Sequence, residues 1–72
     1  MSLLYITENS LQVHRYRDER KNGIYVCRPG ARICGHAFGL VIVDSGVTQD
    51  ARFRDWYDTV VRIRLEKGAL EL

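Results

Sequence analysis

Both cysteines of the chain, Cys27 and Cys34, lie in the stretch YVCRPGARICGH with His36 and the only proline, Pro29, and His14 is the second histidine. These four side chains are the ones that could grip a soft metal ion. Zinc takes four nitrogen or sulfur ligands in a tetrahedron. Cys34 and His36 are two apart, so a strand would put them on one side. A hairpin closed at DERKNG would bring His14 opposite Cys27. The spacing argues against the site. C-x6-C-x-H lacks the short C-x2-4-C knuckle that grips zinc in small domains, so no metal is expected. A redox C-x-x-C pair is absent. A Cys27–Cys34 disulfide would suit one hairpin register, but nothing in the chain reads as a secretion signal. The plainer reading makes Pro29-Gly30 a type II turn and the cysteines small half-buried hydrophobes.

Catalysis has little to stand on. The chain shows no nucleophile–base motif, no glycine loop for phosphate and no H-E-x-x-H. His14 beside Arg15 and Arg17 has the composition of a general base with phosphate-holding arginines, as an RNA-cleaving site would need. A lone strand histidine without a second catalytic group is more often structural. The expectation is a non-catalytic protein with no cofactor.

Binding is better supported. The net charge is +2, but residues 1–32 sum to +3 and residues 33–72 to −1. Arg15, Arg17, Arg20 and Lys21 crowd the first half, interleaved with Tyr16 and followed by Tyr25. Aromatics flanked by arginines can stack unpaired bases and hold their phosphates, so single-stranded nucleic acid is one expected partner class. Asp18 and Glu19 interrupt the basic run and weaken that reading. Tyr and Arg are equally the residues enriched where proteins meet proteins.

The elements that would position these residues follow from pattern. SLLYIT is apolar and rich in strand formers, and ENS after it signals a turn. SLQVHRYR alternates, which predicts a strand with Gln12, His14 and Tyr16 on one face and Leu11, Val13, Arg15 and Arg17 on the other. Asn22-Gly23 is a hairpin turn pair. GIYVCR predicts a third strand, with Ile24 and Val26 on one face and Tyr25 and Cys27 on the other. ICGHAFGLVIVD predicts a fourth, with a bulge or break near Gly35, His36 and Gly39. LVIV is apolar on both faces, so it belongs centrally. Asp50, Arg54, Asp58, Arg62 and Glu66 recur every four residues with alternating sign, an ion-pair ladder on a helix. With an apolar arc from Phe53 to Ile63, this predicts a helix over 48–67. The alternating VVRIRLE leaves a second course open, a helix ending near Thr59 and then a final strand.

Together these expectations make one α+β domain, 1–72, in ββββα order. It would be an antiparallel meander with one C-terminal helix on the face of Val13, Ile24 and Val26. The exposed row Gln12, His14, Tyr16, Tyr25 and Cys27 would then be the working face. A domain of 72 residues sits near the lower size limit for independent stability. More apolar surface than one helix can cover points to a homodimer as the leading function, an interaction module whose partner is itself. The alternative is a nucleic-acid-binding regulator using Arg15, Arg17, Arg20, Lys21, Tyr16 and Tyr25. The longest apolar run, FGLVIV, is too short to cross a bilayer, and with no leader pattern a cytoplasmic setting is expected.

Overall fold

The computed structural model describes residues 2–16, 19–33 and 37–72. Four strands form one sheet in the order β2-β1-β3-β4. They are β1 Ser2–Ile6, β2 Ile24–Cys27, β3 Phe38–Val43 and β4 Leu65–Glu71. Every pairing is parallel. The antiparallel meander predicted from pattern is therefore wrong. Parallel neighbours need a crossover of a dozen or more residues rather than a tight turn. Residues 7–23 supply that crossover between β1 and β2.

The segment predicted as a second strand is used for this purpose. SLQVHR forms a short helix, α1, over Ser10–Arg15. Asn9 caps it: its side-chain oxygen accepts the Leu11 amide at 3.0 Å, and its carbonyl accepts the Gln12 and Val13 amides. Such a cap satisfies amides that the first turn leaves orphaned. A single 3-10 turn, Glu19–Asn22, follows. Asn22-Gly23 does not make a hairpin. Gly23, at φ +80°, ends the 3-10 turn with its amide on the Arg20 carbonyl. Its own carbonyl then accepts the Leu3 amide at 2.8 Å and starts the β1–β2 ladder.

The Pro29-Gly30 turn forms as expected. The Ala31 amide donates to the Arg28 carbonyl at 3.1 Å, and Gly30 takes φ +87°. β3 is central, between β1 and β4, as its two-faced apolar pattern demands. Its register against β1 slips at Gly39, so a bulge does sit in this strand.

Asp50 caps the main helix by accepting the Phe53 amide at 2.9 Å. This helix, α2, is α-helical over Ala51–Trp56, widens to a π turn over Tyr57–Val61 and tightens to 3-10 over Arg62–Arg64. The continuous helix expected to 67 thus stops at Arg64, and a final strand, β4, follows it. Of the charge ladder, Asp58–Arg62 closes at 3.1 Å. Arg62 reaches Glu71 of β4 as well, at 3.7 Å, and its guanidinium lies over the Tyr57 ring. The Tyr57 hydroxyl donates to Glu71 at 2.7 Å. Burial, and then that bond, push the phenol's pKa well above its ordinary value.

One face of the sheet packs on α2. Leu4, Ile6, Phe38 and Val41 from the strands meet Phe53, Trp56, Tyr57 and Val61 from the helix, with Ile33 and Val47 from the loops. Tyr25 and Cys27 lie against this cluster too. The helix therefore covers the face opposite to the predicted one, and Ile24 and Val26 point away from it.

Candidate functional site

Parallel register puts laterally paired residues on one side of the sheet. Leu3, Ile24, Leu40 and Leu70 form one row across it. Tyr5, Val26 and Ile42 form the next. The backbone of Leu72 pairs around Ile42, giving its amide to Val41 and accepting from Val43, and so extends that row. This second face is apolar from edge to edge. Its strand residues are half-buried at the centre, while Leu70 and Leu72 are 63% and 70% exposed.

Parallel sheets are normally covered on both faces, because both carry apolar side chains. Here α2 covers one. Among the described residues the other has only α1 beside it, reaching over the sheet with Tyr16. Between them lies an open groove of about 330 Å³ lined by Leu3, Tyr5, Tyr16, Ile24 and Ile42. Leu11 of the same crossover is 77% exposed.

The predicted binding residues do not share a surface. Tyr16 lies on the open face, with the Arg15 guanidinium 5.8 Å from its ring centre. Tyr25 points to the opposite side, edge-on to Phe38 at 5.5 Å. The expected row of Gln12, His14, Tyr16, Tyr25 and Cys27 is therefore split between a helix and a strand. His14 and Arg15 are exposed in the last turn of α1, and Arg20 and Lys21 are exposed on the 3-10 turn. Arg17 lies outside the described residues.

Of the four metal-candidate side chains, Cys34 and His36 lie outside the described residues. Cys27 is a free, half-buried thiol whose pKa burial pushes up to about 11. Such a thiol is a poor nucleophile and a poor ligand near neutral pH. Among the described residues no cluster of three potential metal ligands occurs. No described helix is long and apolar enough to cross a membrane.

A second feature sits at the carboxyl ends of the strands and was not read from the sequence. Thr7, just past β1, is fully buried. Its hydroxyl donates to the Asp44 carboxylate, just past β3, at 2.8 Å and accepts the Asn9 amide at 3.1 Å. The Asp44 amide closes on the Ile6 carbonyl. The only available signal was the polar residue ending each apolar run, in SLLYIT and LVIVD.

No protein-family model, no curated protein and no solved structure matches the chain. The topology alone places it: a small, all-parallel, doubly wound α/β sheet with a crossover on each face.

Proposed function

We propose that the chain is a non-catalytic interaction module that works as a homodimer, two copies meeting through the open sheet face. The observation that carries this is the half-open apolar face of a parallel sheet, with Leu70 and Leu72 exposed on it. Its area supports a second copy as the occupant. A monomer of 8.3 kDa is expected to expose roughly 4,600 Å². The chain exposes 5160 Å². Its radius of gyration, 11.3 Å, matches the ~11 Å of a compact chain of this length. The surplus is roughly 600 Å², about one partner's share of a small specific interface. A twofold pairing of this face on itself would bury Leu70, Leu72 and the groove beside Tyr16 together. The cytoplasm is the proposed setting, where the free thiol of Cys27 would stay reduced.

Light scattering at micromolar concentration should give about twice 8.3 kDa, and the thermal midpoint should rise with protein concentration. Leu70→Lys is the diagnostic variant. Leu70 is 63% exposed in the single chain, so lysine costs the fold little but places a charge in the interface. It should yield a folded monomer. A wild-type monomer with a concentration-independent midpoint would refute the dimer. The nucleic-acid reading keeps one support, the exposed Arg15, Arg20 and Lys21 along the β1–β2 crossover. It predicts salt-sensitive binding of single-stranded RNA or DNA by anisotropy. Unchanged anisotropy at low salt would remove it.

A further inference from the structure

The chain leaves β1 toward the face carrying α1 and leaves the neighbouring β3 toward the face carrying α2. Adjacent strands whose exits diverge in this way make a topological switch point. In open parallel sheets the crevice outside the strands' carboxyl ends at such a point is where ligands bind. Thr7 and Asp44 stand at the two exits and their 2.8 Å hydrogen bond braces them. Alongside opens a crevice of about 530 Å³, within the range of small-molecule sites. Its walls come from the exits of β1 and β2 and from the start of α2.

One wall is apolar and firmly held. The Trp56 indole donates to the Ala31 carbonyl at 2.9 Å and ties α2 to the Pro29-Gly30 turn. Pro29, Phe53 and Trp56 all line the space. The rim is charged: Glu8, Asp50 and Asp55 against Arg52, a balance of −2 on a chain whose net charge is +2. Glu8, Arg52 and Asp55 make no ion pair with another described residue. Asp50 already takes the Phe53 amide, so the helix start offers an anion little. The cavity locates the site, at the carboxyl ends of the strands, and the rim decides the sign of its ligand. The absence of three close metal-ligating side chains among the described residues argues against a bare metal ion.

We propose that this crevice binds an aliphatic diamine or polyamine, its methylene stem on Pro29 and Trp56 and its ammonium groups beside Glu8 and Asp55. Two ammonium charges match the local excess of two carboxylates, and a flexible methylene chain suits an apolar wall flanked by acids. The reading is independent of self-association, because none of these residues lies on the open sheet face.

Trp56 is the only tryptophan, so its fluorescence reports on this wall directly. The chain is titrated with 1,5-diaminopentane and with spermidine, against 1,5-pentanediol and glutarate as neutral and anionic counterparts. The amines should give a saturable change in the millimolar range or tighter that weakens as salt is added, and the diol and the diacid should give none. Glu8→Gln and Asp55→Asn should each weaken binding roughly two- to five-fold, the scale of an exposed charge contact. Arg52→Gln should tighten it by a similar factor. The proposal is overturned if the diol changes the signal as the diamine does, if neither amine gives a saturable response, or if the Glu8→Gln, Asp55→Asn double variant binds as wild type. Circular dichroism on each variant separates loss of binding from loss of fold.

Discussion

Replacing Thr7 with valine tests how much of the fold depends on the brace between β1 and β3. Valine has nearly the same shape, so no cavity opens and the backbone keeps its β-branched side chain. What is lost is the hydroxyl. It donates to the Asp44 carboxylate at 2.8 Å and accepts the Asn9 amide at 3.1 Å. A hydrogen bond to a charged group contributes about 1.5–3 kcal/mol and a neutral one about 0.5–1.5. Asn9 is exposed, so water replaces much of the second. The new methyl is buried and returns up to about 0.8 kcal/mol. The net expectation is a loss of about 1.5–3 kcal/mol. For a domain of this size that lowers the thermal midpoint by roughly 10–20 °C. Urea unfolding at one fixed protein concentration is the assay, since association would otherwise move the midpoint. Thr7→Ser keeps the hydroxyl and should lose only about 1 kcal/mol for its methyl group. A cycle with Asp44→Asn should show coupling above about 0.5 kcal/mol, as expected for groups in direct contact. A Thr7→Val protein within about 0.5 kcal/mol of wild type would refute the reasoning, because surface changes without a mechanism fall in that band.

Two further outcomes follow from the same geometry. Gly30→Ala should destabilise by about 1–2 kcal/mol although a Cβ there meets nothing within 4 Å, since φ +87° is the left-handed region that alanine resists; chemical denaturation showing no loss would deny that the turn needs this conformation. Cys27 should react with iodoacetamide at pH 8 far more slowly than an unfolded thiol, its pKa standing near 11 against 9.0, as peptide mapping can read. The raised value favours the protonated thiol in the fold, so its contribution is complete below about pH 9 and is lost as pH climbs to about 11. Cys27→Ser should remove that alkaline decline, and an unchanged pH profile would count against the burial argument.

Local chemistry was legible in the sequence wherever one short stretch decides the outcome. The Pro29-Gly30 turn, the strands around Leu4, Tyr25 and Val41, the central place of LVIV and the helical arc beginning near Phe53 all follow from residue type and spacing. So does the final strand, present as the second course for VVRIRLE, though it begins only at Leu65. Strand direction was not legible, because alternation has the same period in parallel and antiparallel pairs. With that direction unknown, ENS and Asn22-Gly23 read as hairpin turns, when they cap α1 and stop a 3-10 turn. Six residues of SLQVHR satisfy a strand pattern and a short helix alike, and the need for a crossover decided between them. The face that each residue occupies depends on that same choice. Tyr16 and Tyr25 therefore ended on opposite sides of the sheet, and the row expected on one sheet face came apart. The open face and the crevice between Pro29 and Trp56 join residues up to 69 positions apart, Leu3 and Leu72 of the open face being the extremes. Only the packing of parallel strands brings such residues together, through ladder bonds and register that no local pattern encodes.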